Sequence, residues 1–270
     1  MITKINVLFI GDIVGEDVLT FIKDNLEKLK TKYKTNFIVV NGENIKEGKG
    51  ITEVEANFLF SLGVNVITTG NHVWDNWKAR PLLSREPKVL RPLNYPPNNP
   101  GFGYTIVDID GMTQVAVMQL QGRSLMTPID CPFRTADHFL KSIREKTENI
   151  ILDFHAEATS EKMAMGWYLD GKVSAIVGTH THIQTADAQI LPNGTAYITD
   201  AGMTGPYNSV IGMNKEVSIK RMLLQTPQKF ELATGDLRIS GVHIEIDALT
   251  HQAMNIQPFS FPDFHKVAFR

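Results

Sequence analysis

Five apolar stretches of strand length each break off into a short polar cluster, and this recurrence narrows the folds open to the chain. Residues 5–10 lead into Gly11-Asp12, residues 37–40 into Asn41-Gly42-Glu43-Asn44, and residues 64–69 into Gly70-Asn71-His72. Later, residues 150–152 lead into Asp153-Phe154-His155 and residues 173–177 into Gly178-Thr179-His180-Thr181-His182. A short apolar run bounded by turn residues reads as a buried strand. Between the first two runs, Leu19, Ile22, Leu26 and Leu29 recur at spacings of three and four, which predicts an amphipathic helix over 16–30. Thr52 followed by Glu55 is a capping-box pattern that opens the next helix. The order βαβαβ implies parallel strands with helices on their faces. In such sheets the loops beyond the carboxyl ends face the ligand crevice, which puts the polar clusters on one rim.

The second half adds a different pattern. Residues 91–103 are dense in Pro, Gly and Asn and read as a long irregular loop. Strands follow at 104–109 and 114–120 around the hairpin signal Asp110-Gly111, so the sheet becomes mixed. A loop at 123–134 precedes a helix near 136–146. A strand at 150–154, a helix at 157–169 and strands at 173–177 and 196–199 come next. Alternation at 238–246 marks a further strand, with 254–258 as its pairing partner. No repeat, low-complexity segment or linker divides the chain. The expectation is one α/β domain over 1–270, with two packed mixed sheets flanked by helices.

Composition excludes several classes. The 270 residues are 43% hydrophobic and 21% charged, enough for a sizeable core and unlike a disordered chain. A formal net charge of -2 offers no basic face for duplex DNA, but leaves room for a small nucleotide or a short RNA end held by metal. Cys131 is the one cysteine, so neither a disulfide framework nor a cysteine zinc site can form. A reducing cytoplasm fits that usage. No signal-peptide pattern opens the sequence and no run of about 18 apolar residues exists, so no membrane span is expected.

The clusters carry the chemistry. A carboxylate at a strand end, such as Asp12, is a hard oxygen ligand, although a turn Asp capping the following helix is an equal reading. Glu43 can bridge two cations and the Asn44 amide oxygen can complete a shell, against the alternative of an ordinary polar loop. Asn71 is a further oxygen donor, and His72 beside it is either a ligand or a proton donor; alone, a surface turn is the simpler account. Alternation makes Asp153 and His155 face one way, and Asp153 could orient an imidazole as carboxylates do for metal-bound histidine. Glu157 reads as a cap for the next helix. His180 and His182, at i and i+2 in a Thr-rich turn, are the strongest single signal. His138, His243, His251 and His265 lack this context and read as ordinary residues. Any one cluster is weak, but five in order on one rim are a ligand inventory for two metal ions and a spare imidazole.

These residues resemble the calcineurin-like metallophosphoesterases, with departures. The usual Asp-x-His appears as Gly11-Asp12-Ile13-Val14-Gly15, the usual bridging Asp as Glu43, and the last motif as Gly178-Thr179-His180-Thr181-His182. The departures are similar to a bacterial branch, the YmdB-like phosphodiesterases. The match runs from about Asn6 to Gly212, including Arg91-Pro92 and the segment 200–206. The resemblance implies a four-layer α/β/β/α sandwich. It implies one metal on Asp12, Glu43, Asn44 and His182, and another on the bridging Glu43, Asn71, His155 and His180. His72 would protonate the leaving oxygen while a hydroxide held between the ions attacks phosphorus. Imidazole ligands favour manganese, iron or zinc over magnesium. The implied activity is phosphodiester hydrolysis, including 2′,3′-cyclic nucleotides, with links to RNA turnover and a protein partner there. Homo-oligomers are common for such proteins, though no self-complementary surface is legible in one dimension.

Three rivals stand beside this reading. A phosphomonoesterase or 5′-nucleotidase-like enzyme would share the ligands. A metal-bound regulator would need no spare proton donor. A metal-free scaffold would not need the ligand set. Loops 91–103, 121–134 and 200–213 are expected to frame the pocket, with Arg123 or Tyr207 as contacts to phosphate or base. Gly202, Gly205 and Gly212 could admit a ligand to the backbone or simply give flexible connections.

Overall fold

The computed structural model describes residues 2–263. The chain runs β1 (Lys4–Ile10), β2 (Asp12–Ile13), α1 (Asp17–Tyr33), β3 (Phe37–Asn41), α2 (Glu53–Ser61), β4 (Val66–Thr68), α3 (Ala79–Arg85) and β5 (Val89–Leu90). It continues through β6 (Tyr104–Asp108), β7 (Gln114–Gln121), α4 (Pro132–Arg144), β8 (Ile150–His155), α5 (Thr159–Leu169), β9 (Ala175–Thr179), β10 (Gln189–Ile190) and β11 (Ala196–Ile198). The last elements are β12 (Met203–Pro206), α6 (Lys215–Leu224), β13 (Leu237–Asp247) and β14 (Ala253–Phe261).

These strands form two mixed sheets. The first has the order β2-β12-β13-β1-β3-β4-β5, with β14 on β13; the second is β10-β11-β9-β8-β7-β6. In the first sheet β1, β3, β4 and β5 are parallel, as the opening pattern predicts, while β13 lies antiparallel to β1 and to β14. In the second, β7, β8 and β9 are parallel and β6 closes an antiparallel hairpin.

Alternation along the strands explains the layers, because successive side chains point to opposite faces. Val7, Phe9, Val39 and Val66 meet Val117, Ile151, Val177 and Ile244 in a core between the sheets. Leu8, Ile10, Val40 and Ile67 face the other way onto Ile22, Leu26 and Leu59 of the first helical layer. Leu152, Phe154 and Ile176 pack against Leu140, Ile143, Met165 and Leu169 of the second. The sandwich is therefore α/β/β/α, as expected. Among the described residues no helix is long and apolar enough to cross a membrane.

Several local expectations need correction. Strand β9 ends two residues later than the apolar run suggests, so Thr179 is part of the sheet. The segment 200–213 is not a plain loop, because Met203–Pro206 pairs with β2 and β13. Gly205, in this pairing, and Gly212 both lie close against Val14. Helices α3 and α6 have no counterpart in the sequence reading. The capping box is present, with Glu55 accepting from the Thr52 backbone N–H. His265 lies outside the described residues.

Candidate metal centre at the junction of the two sheets

The carboxyl ends of β1, β3, β4, β8 and β9 converge, and the polar clusters meet there. Asp12 and Glu43 are fully buried and Asn44 nearly so. Asp12 does not cap α1: the cap position is Glu16, without a side-chain cap, and Asp12 Oδ2 accepts the His180 backbone N–H at 3.1 Å. His155 Nε2 lies 2.8 Å from Glu43 Oε1 and 3.0 Å from His180 Nδ1. Donor atoms of Glu43, His155 and His180 all fall within 4.8 Å of one another. His182 is turned by an Nδ1 contact of 2.9 Å to the Ile211 carbonyl, which leaves Nε2 open.

Three buried oxygens in this junction lack a hydrogen bond, Asp12 Oδ1, Asn44 Oδ1 and Asn71 Oδ1, while Glu43 Oε1 meets only the His155 imidazole. Buried polar atoms are otherwise nearly always satisfied, so three orphans in one place call for an explanation. The Asn44 amide is oriented by its donation to the Gly48 carbonyl at 3.0 Å, which aims its oxygen the other way. Carboxylate and amide oxygens beside imidazole nitrogens form a donor set for divalent transition ions. These residues could hold such ions, and their unfilled bonding capacity fits that use.

An outer layer of hydrogen bonds fixes the imidazoles. His155 Nδ1 meets Thr179 Oγ1 at 2.9 Å, and Thr179 Oγ1 donates to Asp153 Oδ1 at 2.6 Å. Asp153 thus orients His155 through Thr179. Its other oxygen accepts from Asn41 Nδ2 at 3.0 Å and from Thr68 Oγ1, tying the two sheets together. Glu157 does not cap α5; its Oε2 stands 3.1 Å from His180 Nε2. Gly70 is required by space, since a Cβ there would collide with His155 and with Glu43 Oε2.

His72 sits on a short 3-10 turn, its backbone N–H donating to Glu43 Oε2 at 3.0 Å. Its Nδ1 is 2.8 Å from Asp75 Oδ2, so Nε2 faces away from the acid. Sequence reasoning missed Asp75, although an acid three residues beyond a histidine was a readable signal. It also missed Lys162, which is buried on α5 and donates to the Thr179 carbonyl at 2.6 Å and to Asp200 Oδ2 at 2.8 Å. Asp200 in turn accepts the Thr181 backbone N–H at 3.0 Å. This pair braces a loop in which His180 and His182 have φ of 99° and 66°, left-handed values unusual for histidine. Tyr207 is committed to the fold, bonded to the Met203 carbonyl and Ser240 Oγ with Arg238 over its ring.

Charge is held here under tension. Burial works to raise the Glu43 carboxyl, but the charges of His155, His72 and His180 outweigh it and hold it at about 2. Burial works to lower His155, yet the Glu43 charge beside it keeps the imidazole at about 9. Burial and the His155 charge push His180 down to about 3.

Two mixed sheets whose carboxyl ends gather carboxylates, amides and imidazoles define a metallophosphoesterase-type enzyme. A family model described as YmdB-like protein matches residues 8–259, and the chain belongs to that family. A 2′,3′-cyclic-nucleotide 2′-phosphodiesterase of Bacillus subtilis is 48% identical, covering 96% of this chain and 98% of its own. A crystal structure of a hypothetical protein from Thermus thermophilus superposes with a TM-score of 0.88 at 40% identity, covering 95% of this chain and 98% of that one. Another, described as a novel phosphatase from Mycoplasma pneumoniae, gives 0.90 at 35% identity, covering 96% and 94%.

Proposed function

We propose that the chain is a phosphodiesterase carrying two divalent metal ions and hydrolysing 2′,3′-cyclic nucleotides, with the 2′ ester bond broken and a 3′-phosphate left. The observation that carries the reading is the set of three buried, unpartnered oxygens beside the cluster of Glu43, His155 and His180. The substrate class comes from the Bacillus relative. Asp12, Glu43, Asn44 and His182 would hold one ion; Glu43, Asn71, His155 and His180 the other. Manganese, iron or zinc suits this donor set. Such ions supply positive charge that offsets the phosphodiester anion and acidifies the attacking water.

The protein's own groups do the rest. Thr179 and Asp153 fix the His155 ring, and the Lys162–Asp200 pair fixes the loop of His180 and His182. His72, aimed by Asp75, holds a proton at Nε2 for the departing 2′ oxygen. The same Glu43 carboxylate anchors the His72 backbone, which couples the proton donor to the ligand set.

The test is His72→Ala. Metal content is expected to stay at the wild-type level while kcat on 2′,3′-cyclic AMP falls about 10²–10⁴-fold. The loss is expected to be much smaller on bis-p-nitrophenyl phosphate, whose leaving group departs as a stable anion. Loss of metal, or equal loss on both substrates, would show that His72 is not the proton donor. A phosphomonoesterase reading is favoured by the description of the Mycoplasma structure, and adenosine 3′-monophosphate as a substrate in the same panel decides it.

A further inference from the structure

A cavity of about 540 Å³ is lined by Arg91, Tyr95, Asp130, Arg134 and His138 among others. It opens where β5 and β7 end. Tyr95 forms part of its wall: its hydroxyl donates to Gln121 at 3.0 Å, and Gln121 pairs with His155 in the sheet. The Tyr95 ring also packs on Trp74, two residues beyond His72, at 5.2 Å between centroids. Tyr95 thus links the cavity wall to the strand end that carries His155 and to the turn that carries His72.

Its charge is unbalanced. The Arg91 guanidinium donates only to backbone carbonyls, of Pro92 at 2.9 Å, Leu93 at 3.3 Å and Asn99 at 3.5 Å. Among the described residues no carboxylate pairs with it, and its Nε is buried without a partner. Arg134, exposed in the first turn of α4, has no ion pair among the described residues, and that helix begins without a side-chain cap. Asp130 on the rim is the one acid in the lining. A half-buried cation whose charge no carboxylate balances favours an anion in the cavity it lines.

Resting on the proposed 2′,3′-cyclic nucleotide reading, we propose that this cavity is a subsite for a second phosphate, borne on the 5′ carbon of the reacting ribose. The placement follows from chemistry. Both ring hydroxyls are consumed by the cyclic ester, so a further phosphate on that unit can hang only from the 5′ carbon. It could be a terminal phosphate of a mononucleotide or the 3′,5′ linkage of an oligoribonucleotide.

The experiment compares kcat/KM for adenosine 2′,3′-cyclic phosphate, its 5′-phosphorylated form and the dinucleotide adenylyl-adenosine 2′,3′-cyclic phosphate, using metal-loaded enzyme. A 5′-phosphate is expected to raise kcat/KM at least tenfold. Arg134→Ala is expected to bring the ratio to near one, and Arg134→Glu to invert it. A gain for both extended substrates shows that the phosphate alone suffices; a gain for the dinucleotide only identifies the source as an oligonucleotide linkage. Equal values for all three in the wild type, or a preference that survives Arg134→Ala, overturn the subsite. If none of the three is hydrolysed, the failure belongs to the activity. The subsite is then read from adenosine 5′-monophosphate binding by calorimetry, expected to weaken tenfold in Arg134→Ala and refuted by no change.

Discussion

Gly70 shows how a single atom is excluded from this site. The residue has no Cβ, and the space a Cβ would take is filled by the His155 ring and Glu43 Oε2. Both groups are fully buried in a packed interior that cannot retreat. Gly70→Ala must therefore displace a carboxylate, an imidazole or the strand end that carries Asn71 and His72. The expected outcome is a folded protein whose metal content drops below half and whose kcat/KM falls at least a hundredfold, since misplacement by about 1 Å costs that much. Metal analysis with circular dichroism and kinetics checks it. Wild-type metal content and activity in the variant would show that the crowding at Gly70 is not what shapes the site.

At the scale of elements, α5 has a role its sequence half conceals. Lys162 falls in the helix stripe that also buries Met165, Gly166 and Leu169, where a lysine is unexpected. Its charge is answered by Asp200, and together they hold the Thr179 carbonyl and the Thr181 N–H on either side of His180. Lys162→Met leaves Asp200 buried and uncompensated, a loss of about 3–5 kcal/mol or roughly 10 °C in Tm. Metal affinity is expected to fall as well. Adding Asp200→Asn is expected to recover part of the Tm but not the affinity, because the loop has still lost its brace. A single variant with unchanged Tm and affinity would falsify this role. The elements themselves were unequally legible. Strands β1, β3 and β8 and helix α1 announce themselves by continuous or periodic apolar residues, so the rim and most of its polar residues could be found. Two-residue strands such as β2, β5 and β10 exist only through pairing with distant chain, which no local pattern encodes. Thr179 was missed because its part depends on β8 and β9 lying side by side, and Lys162 because one lysine in an apolar stripe looks like noise.

For the whole molecule, the consequence of placing a charged pair between two sheets is that stability and metal binding share their titrating groups. In chelator-stripped protein, burial works to lower His155, but Glu43 outweighs it and raises the imidazole from 6.5 to about 9. A raised imidazole contributes stability that is full below pH 6.5 and lost as pH climbs through 9. Glu43 is lowered from 4.5 to about 2, so its contribution is present above pH 4.5 and lost as pH falls through 2. Asp153, raised to about 7 by burial, favours its protonated form, so its contribution also declines as pH rises from 3.8 through 7. The stripped protein should therefore lose Tm as pH rises from 6.5 to 9, and His155→Gln should lose much less over that window. Metal binding runs the other way. An ion on His155 needs the ring nitrogen free, so binding below pH 9 expels a proton and affinity climbs with pH over the same window. Melting curves of stripped wild type and His155→Gln, with calorimetry of manganese binding in buffers of differing ionisation enthalpy, test both halves. A stripped protein whose Tm is flat from 6.5 to 9, or binding with no proton release, would mean that the junction holds its histidine neutral before any metal arrives.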